Sequence, residues 1–314
     1  MPEFRNFVQT LEERGKLVRL SKEVDPKFEL GALIWKLEQQ GKAVIFENVK
    51  GSDMPVVAGV MNGLDRYAEL HGIDDIPHFT HRDHAKVMQH AIEHPIPPRE
   101  LNTGPVKEVI QIGDDANLYD LPVPTFCEDD SGAFITAAIG ISRHPDTSEL
   151  NVGVYRALVV DERTLNINMS PTSNLRAIVQ AAKERGETVP ISLAIGNDPL
   201  MIMAAAGKPD SSTSEYAVAG ALRKEALDVV RCETNDLLVP AHAEIVIEGE
   251  IDFQNECAQQ FGEFAGQYGP GVNPNFRVTA ITQRKEPLFH AIFGEQGREH
   301  FTLGFMSLYG LRDT

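Results

Sequence analysis

Residues 133–160 read AFITAAIGISRHPDTSELNVGVYRALVV, and this stretch contains two predicted strands, at 133–142 and 151–160. Both are rich in β-branched and other apolar residues, which favour buried β-strands. Six further runs of the same kind follow along the chain, at residues 164–169, 191–195, 229–232, 243–251, 277–281 and 288–293. Eight strands exceed what one open α/β layer needs, so we expect a β-barrel or split barrel.

Two helices are predicted between these strands, at residues 175–185 and 216–223. Each follows polar residues that suit the start of a helix, Ser173 and Asn174 before the first and Ser212, Thr213 and Ser214 before the second. We therefore expect a barrel domain with inserted helices.

The N-terminal part has a different pattern, in which helices and short strands alternate. The spacing of apolar residues predicts helices at 3–13 and 28–39, and short apolar runs predict strands at 16–20, 43–46 and 56–60. Residues 62–108 have turn residues and helix breakers, which indicate a helical linker on the surface. The predicted fold class is α+β: an N-terminal α/β domain with its linker at residues 1–110, then a split β-barrel at residues 111–300.

Residues 301–314 are too apolar for a frayed end, because Phe301, Leu303, Phe305, Met306, Leu308 and Tyr309 lie within them. Either a partner chain or a further C-terminal portion would cover these side chains. We interpret the segment as the start of a missing or truncated C-terminal portion, and we expect the protein to form homo-oligomers.

Composition and charge exclude several classes of protein. The 314 residues are 42% hydrophobic and 24% charged, which is typical of a globular chain and not of a disordered one. The formal net charge of −17 repels nucleic-acid phosphates and anionic lipids. We therefore expect no nucleic-acid partner, and an anionic substrate must meet locally placed cations.

The three cysteines, Cys127, Cys232 and Cys257, are widely spaced and include no CxxC pair. This pattern favours neither a disulfide framework nor a thiolate zinc site, and a reducing cytoplasm suits it best. No segment approaches the roughly 18 uncharged residues of a membrane span, and the charged N-terminus is unlike a signal peptide. We expect a cytoplasmic protein without a membrane span.

General nucleotide-binding and hydrolase motifs such as GxGxxG, the P-loop, GxSxG and HExxH are absent from the sequence. His78, His81 and His84 are three residues apart and could converge on a metal if they shared one helix turn. Pro77 argues against a regular helix there, so a solvated face is the favoured interpretation of the three histidines.

Two ionisable residues stand out as candidates for chemistry. The strand at 151–160 begins with Asn151 and carries Arg156, and strand alternation puts these two residues on opposite faces. Glu263 lies between two phenylalanines and two glycines, where burial would raise a carboxyl pKa and a guanidinium would lower it. From the residues alone, Arg156 can equally well be a surface arginine, and Glu263 can equally well be an exposed loop glutamate, as residues of a site.

A third acid, Glu215, falls in the first turn of a predicted helix. A carboxylate there can be a surface acid favoured by the helix dipole or a hard oxygen ligand for a metal ion. The sequence pattern leaves both open.

Five ordered segments, LPVPTFCEDDSGAFIT at 121–136, NVGVYR at 151–156, SEYAVAGAL at 214–222, CETNDLLVPAHAEIVIEGEI at 232–251 and FGE at 261–263, together resemble the UbiD-like family of prenylated-flavin decarboxylases. The resemblance spans residues 121–293 and is weaker in the N-terminal domain. It implies an N-terminal α/β domain, a central split barrel that binds the cofactor and a C-terminal α/β domain, of which the last is nearly absent here.

The resemblance also implies a cofactor, prenylated FMN, which a separate flavin prenyltransferase supplies and which acts as the electron sink for the departing carboxylate. Arg156 matches the family's active-site arginine and Glu263 its proton-delivering glutamate. Asn151 and Glu215 match metal ligands, with Mn²⁺ or Mg²⁺ and K⁺ as the expected ions. Cofactor contacts are expected from Asn151, Arg156, Asn174 and Glu215 and, on a weaker match, from Gly153, Val154, Tyr155 and Ser173.

Two positions depart from the family pattern. Asn174 stands where the family commonly has a metal-binding histidine, so the site should favour harder ions such as Mg²⁺ or K⁺, or bind metal weakly. Ala258 stands where a first glutamate is common, which leaves Arg156 and Glu263 without a second acid unless Glu256 or a residue from elsewhere replaces it.

The leading functional hypothesis is a reversible, non-oxidative decarboxylase that acts on an aromatic, heteroaromatic or α,β-unsaturated carboxylic acid. A non-catalytic flavin-binding or accessory subunit is the alternative, which the changes at Ala258 and Asn174 would favour. A protein-interaction module built on the barrel is a third hypothesis, motivated only by the apolar ending.

Overall fold

The computed structural model describes residues 3–73, 76–207, 213–263, 265–269 and 271–306, with the side chain of residue 306 excepted. The helices are α1 (Phe4–Glu13), α2 (Glu29–Glu38), α3 (Leu64–Leu70), α4 (His81–Glu93), α5 (Asn174–Arg185), α6 (Pro199–Gly207), α7 (Glu215–Arg223) and α8 (Arg298–Met306). The strands are β1 (Leu17–Leu20), β2 (Ala43–Phe46), β3 (Val56–Ala58), β4 (Arg99–Leu101), β5 (Val109–Ile112), β6 (Phe134–Arg143), β7 (Leu150–Asp161), β8 (Thr164–Ile167), β9 (Pro190–Ile195), β10 (Asp228–Arg231), β11 (Leu238–Pro240), β12 (Ile245–Gln259), β13 (Gly271–Gln283) and β14 (Phe289–Ala291).

Six strands close into a β-barrel in the order β12, β9, β6, β7, β8 and β13, and the pairing of β12 with β13 completes the ring. Strand β5 adds to β13 outside the ring. Each of the six strands pairs with a neighbour on both sides over at least part of its length. The predicted barrel and the α+β class are confirmed, and the largest apolar core among the described residues joins side chains of the barrel strands to side chains of α2, β2 and β3.

Two of the eight predicted barrel strands belong to other sheets. Strand β10 pairs with β4 and β11 in a separate three-stranded sheet. Strand β14 joins the N-terminal sheet, where Ala291 lies opposite Ala58 in a parallel ladder. Both strands are short and apolar, and a short apolar run does not reveal which distant strand it will pair with. The prediction that these two runs belong to the barrel was wrong.

The N-terminal sheet has the order β1, β2, β3 and β14, and helices α1 and α2 begin and end within a few residues of their predicted limits. Helix α1 buries the stripe that the spacing predicted, with Phe4, Phe7, Val8 and Leu11 facing the sheet core. The division of the chain into domains near residue 110 stays a prediction.

The segment at 62–108 is more than a surface linker. Helix α4 begins directly after Thr80, whose side chain accepts a hydrogen bond from Asp83 N. The helix buries Met88 and Ala91 and packs against α7 and α8. The hydrophobic burial holds this segment in the fold, and the expectation of a linker running over the surface was wrong in that respect.

Helix α8 contains part of the apolar ending. Leu303 is buried, whereas Phe301 and Phe305 are 53% and 42% exposed and stack on each other. Leu308 and Tyr309, together with the rest of 307–314, lie outside the described residues. Within the described ranges, none of the helices has the length and apolar character needed to cross a membrane.

Candidate active site

A cavity of about 310 Å³ lies where strand β7 meets residues of helices α5, α6, α7 and α8. Its volume is within the rough range of 300–1,000 Å³ of small-molecule sites. It is lined by Thr136, residues 151–156, Asn168, Ser170, residues 172–174, Ala205, Ala206, Glu215, Phe261, Ile292, Gly294, His300, Leu303 and Gly304. The eight predicted cofactor and metal residues all line this one cavity.

All six residues of the NVGVYR segment line the cavity, although strict strand alternation would put half of them on the other face. The reason is that this segment forms an open strand edge. Strand β8 pairs with β7 only from Ala157 to Asp161, so residues 151–156 have a neighbouring strand, β6, on one side alone. A bulge in β6, between Ile135 and Ala138, lies opposite Arg156. Arg156 therefore shares a cavity with Asn151, although strand alternation puts their side chains on opposite faces.

Arg156 forms an ion pair with Glu263 across 107 positions of sequence. Arg156 Nη1 donates to Glu263 Oε1 at 2.6 Å. The guanidinium also lies over the ring of Phe261, 5.2 Å from its centroid, a cation–π arrangement that holds the group in place. The arginine side chain is 14% exposed and the glutamate side chain is 31% exposed, so neither lies in bulk water. Arg156 lines the cavity, whereas Glu263 is not among the lining residues and is connected to the cavity through this ion pair.

The Nε atom of Arg156 is buried and has no hydrogen-bond partner among the described residues. Glu263 occupies one edge of the guanidinium. An arginine with a donor still unused in a cavity is suited to bind a carboxylate.

Three predicted metal ligands, Asn151, Glu215 and Asn174, line the same cavity. The amide nitrogen of Asn151 donates to Ser142 Oγ and Tyr155 OH, both at 3.3 Å, so its oxygen is the atom that would face a cation. Glu215 is 7% exposed, and its Oε2 has no hydrogen-bond partner among the described residues. Burial raises the pKa of Glu215 to about 7.

This donor set suits a hard cation. A buried, unpartnered carboxylate oxygen next to amide oxygens is the kind of site that Mg²⁺ or K⁺ prefers. The parts of the chain that the structure describes contain no group of three His, Cys, Asp or Glu side chains placed to hold a metal ion.

Tyr155 is held between two glycines. A Cβ at position 140 would lie 2.6 Å from the tyrosine ring, and one at 153 would lie 2.9 Å from its hydroxyl. Both positions therefore need glycine so that the ring can lie flat along the strands. Burial raises the pKa of Tyr155, so the phenol remains protonated near neutral pH.

The N-terminus of α5 faces the cavity. Ser173 is the N-cap and accepts a hydrogen bond from Arg176 N at 3.2 Å, and Ser170, Thr172 and Asn174 line the wall beside it. The positive end of a 12-residue helix together with hydroxyl groups is suited to bind a phosphate.

His300 was missed in the sequence analysis, because no motif distinguishes it. It lies on α8, lines the cavity and shares a hydrogen bond with Gly294 O through Nδ1 at 2.9 Å. Because the carbonyl accepts, Nδ1 carries the proton. Burial lowers the pKa of His300, while the nearby Glu263 opposes that effect and Arg156 adds to it. His300 is thus a third titratable group beside the ion pair.

Neither position considered for a second acid is in the site. Ala258 is exposed on strand β12, where it lies opposite Val272, and Glu256 is exposed on the same strand. Ala258 lies within a strand and not in a loop, because β12 continues to Gln259.

The histidines at 78, 81 and 84 do not share one face. His84 is buried with its Nδ1 3.0 Å from His71 Nε2, whereas the His81 ring lies 3.1 Å from the carbonyl of Phe305. His78 precedes the start of α4. His81 and His84 thus face different partners, and the burial of His84 contradicts the expected solvated face.

Comparison with known families gives the class of the protein. The model for the 3-octaprenyl-4-hydroxybenzoate carboxy-lyase Rift-related domain (UbiD) matches residues 99–296, and the model for the N-terminal domain of the same carboxy-lyase matches residues 8–81. The chain belongs to the UbiD family of carboxy-lyases.

Solved structures agree with this assignment. An evolved dimeric form of the UbiD-class enzyme HmfF from Pelotomaculum thermopropionicum, in complex with prFMN, is 35% identical with a TM-score of 0.91, over 98% of this chain and 71% of that one. Vanillic acid decarboxylase from Sedimentibacter hydroxybenzoicus is 28% identical with a TM-score of 0.90, over 96% of this chain and 66% of that one. The chain thus spans about two thirds of the length of these enzymes.

Proposed function

We propose that this protein catalyses the reversible, non-oxidative decarboxylation of an aromatic, heteroaromatic or α,β-unsaturated carboxylic acid with prenylated FMN. The observation that carries the proposal is the 2.6 Å contact of Arg156 Nη1 with Glu263 Oε1 at a cavity lined by all of residues 151–156. A cation and an acid at one small-molecule cavity are the two groups that carboxylate binding and carbon protonation need.

The cavity has features that fit prenylated FMN. Its phosphate would lie at the N-terminus of α5 with Ser173 and Asn174, and the backbone of Gly153, Val154 and Tyr155 would contact the rest of the cofactor. When bound, the flavin supplies the electron sink for the pair of electrons that the broken carbon–carboxylate bond leaves behind.

The residues of this chain would orient the substrate and move a proton. Arg156 would bind the substrate carboxylate, which competes with Glu263 for the same guanidinium. Once the substrate carboxylate has displaced it from Arg156, Glu263 would take up a proton from solvent, and as carbon dioxide leaves it would deliver that proton to the carbon that carried the carboxylate. In the reverse direction Glu263 would remove that proton, and Arg156 would stabilise the new carboxylate.

A metal ion held in this cavity would offset the negative charge of an anionic cofactor. Asn151, Glu215 and Asn174 would supply the oxygen ligands, and Mg²⁺, Mn²⁺ and K⁺ are the ions to compare.

We expect Glu215→Gln to reduce bound divalent metal at least fivefold, because an amide oxygen carries no charge to offset that of the ion. Elemental analysis of the purified protein measures this, with the exposed Glu256→Gln as the matched control. Equal metal content in both variants would contradict the site.

The function is tested by loading and turnover. The chain is co-expressed with a flavin prenyltransferase, its absorption spectrum is recorded, and carbon dioxide release is measured with vanillic acid, pyrrole-2-carboxylic acid and cinnamic acid, one from each substrate class. A flavin spectrum with carbon dioxide release from one class supports the proposal. A colourless protein that takes up neither FMN nor the prenylated form would exclude it.

We expect Glu263→Gln to lower kcat at least 100-fold and to leave the bound flavin in place, because the amide keeps the size of the side chain but has no acidic proton to deliver. Steady-state kinetics and the flavin spectrum test this, again beside Glu256→Gln. Turnover equal to wild type in Glu263→Gln would remove Glu263 from the mechanism.

An accessory, non-catalytic flavin-binding subunit is the second candidate function. One observation favours it: Ala258 stands where the family pattern has a second acid. Flavin uptake without carbon dioxide release from any of the three acids would support this function. We also propose that the protein is a cytoplasmic homo-oligomer.

A further inference from the structure

The turn that carries Glu263 is hydrogen-bonded to a second loop, at residues 127–131. Ser131 N donates to Gln260 O at 2.9 Å, and Gln260 N donates in return to Ser131 Oγ at 2.7 Å. The side chain of Gln260 donates to Asp129 O at 3.2 Å, and Gly262 N donates to Asp130 Oδ1 at 3.2 Å. The last of these hydrogen bonds is made by Gly262, the residue directly before Glu263.

Asp130 joins the two loops through one carboxylate. Its Oδ1 accepts from Gly262 N, while its Oδ2 accepts from Cys127 N at 2.9 Å. The carboxylate is partly buried, and this burial raises its pKa. An ionised carboxylate accepts backbone N–H bonds more strongly than a neutral group, so the Asp130 bridge is well suited to fix a backbone position.

The backbone at Gly262 is confined from the other side as well. A Cβ at position 262 would lie 2.7 Å from the Cβ of Glu295. Beyond Gly262, Glu263 N donates to Gln267 O at 2.8 Å, and Gly266 N donates to Glu263 O at 2.9 Å. Glu263 therefore projects from a turn that is closed on itself and held at its entry by Asp130.

We propose that Asp130 is a positioning residue for the reaction: its carboxylate holds the Gly262 amide and so places the carboxyl of Glu263 against Arg156. The inference rests on the proposed role of Glu263. The Asp130 carboxylate accepts from the backbone amides of Cys127 and Gly262, so it acts through the backbone of the turn. A displacement of about 1 Å in such a group can cost on the order of 100-fold in rate.

The test compares Asp130→Asn with Asp129→Asn in the flavin-loaded protein. Both variants remove one negative charge from neighbouring residues, but the exposed Asp129 contributes only its backbone carbonyl to the turn. In Asp130→Asn, the amide nitrogen would face one of the two N–H donors. We expect kcat to fall 10- to 100-fold in Asp130→Asn, with KM within twofold and the flavin spectrum unchanged, and Asp129→Asn to match wild type.

Two further measurements keep the proposal falsifiable if Asp130→Asn folds poorly. Ser131→Ala removes only the exposed hydroxyl that accepts from Gln260 N, and we expect a severalfold fall in kcat at unchanged KM. Hydrogen–deuterium exchange of the chain without substrate reports the turn directly. The peptide that contains Gly262 should exchange about tenfold faster in Asp130→Asn than in Asp129→Asn.

The outcomes separate this inference from the proposed function. Wild-type kcat in Asp130→Asn, an equal loss in Asp129→Asn, or a loss of bound flavin in place of a loss of kcat would each overturn the role of Asp130. If Glu263→Gln is inactive while Asp130→Asn is fully active, only the positioning role fails. If Glu263→Gln is fully active, Glu263 has no role in the reaction and the positioning role of Asp130 fails with it, while the decarboxylase function stands. That function fails only if the flavin-loaded wild type releases no carbon dioxide.

Discussion

At the scale of single residues, the site depends on how closely the backbone of one segment approaches the aromatic ring of another. Phe261 supports the guanidinium of Arg156, and Gly294 lies directly against the same ring. A Cβ at position 294 would collide with that ring and would lie 2.7 Å from Gly262 O. Gly294 is required for space and not for a left-handed backbone, since its φ is not positive.

We expect Gly294→Ala to lower the free energy of unfolding by about 1–3 kcal/mol and to reduce turnover, because the added methyl group displaces Phe261 from Arg156. Thermal unfolding and steady-state kinetics measure the two effects. Gly269→Ala is the matched control, because a Cβ there meets no atom within 4 Å and the φ of Gly269 is also not positive. Equal stability in the two variants would show that the Phe261 ring yields without cost.

At the scale of secondary-structure elements, helix α4 shows that a local capping signal marks where a helix begins, even after a region of the sequence that has no clear apolar periodicity. Thr80 and Asp83 form a capping box, in which Asp83 Oδ2 accepts from Thr80 N at 3.1 Å. The cap fixes where the helix begins, and so it decides that His84 enters the core while His78 remains outside the helix.

We expect Thr80→Ala to lower the free energy of unfolding by about 1 kcal/mol, since the first turn of α4 loses its side-chain acceptor. Thr80→Ser should retain most of that stability, because the hydroxyl remains. Urea denaturation of the two variants beside wild type measures the difference. A serine variant as unstable as the alanine variant would mean that the methyl group of Thr80, and not its oxygen, stabilises the helix.

At the scale of the whole molecule, buried acids connect helix α8 to the N-terminal sheet. Glu38 on α2 is fully buried and accepts from Arg298 N at 2.7 Å. Glu299 accepts from Val60 N and Met61 N, at 3.1 and 2.8 Å. Burial first, and the charge of Glu299 second, raise the pKa of Glu38 to about 8.

Because the pKa of Glu38 is raised in the folded protein, the free energy of unfolding depends on pH in a direction that can be derived. Between its ordinary value of 4.5 and about 8, Glu38 keeps its proton in the folded protein and loses it in the unfolded chain. The unfolded state binds fewer protons there, so stability falls as pH rises through this window. We expect Glu38→Gln to reduce this pH-dependent loss of unfolding free energy by roughly 3 kcal/mol, because the amide never ionises.

Thermal unfolding at intervals from pH 5 to pH 8 checks the Glu38 prediction. The exposed Glu23→Gln is the control and should follow the wild-type curve. Parallel curves for Glu38→Gln and wild type would show that Glu38 is ionised in the folded protein throughout this range.

The sequence by itself determined the elements whose signals are local. The apolar spacing of α1, the polar starts of α5 and α7, and the strands at 133–160 all appear in the structure near their predicted limits. The ordered motifs also indicated Arg156 and Glu263 as a pair, because they resemble a family in which those positions have stated roles.

Only the tertiary structure decided which distant segments meet. The open edge of β7 brings Arg156 to the same cavity as Asn151, and the packing of the turn after β12 brings Glu263 to Arg156. His300 and Asp130 act through contacts with residues far away in the chain, so no local pattern singles them out. Local periodicity records which face of an element is apolar, whereas strand pairing, bulges and cavities arise from the packing of elements against one another.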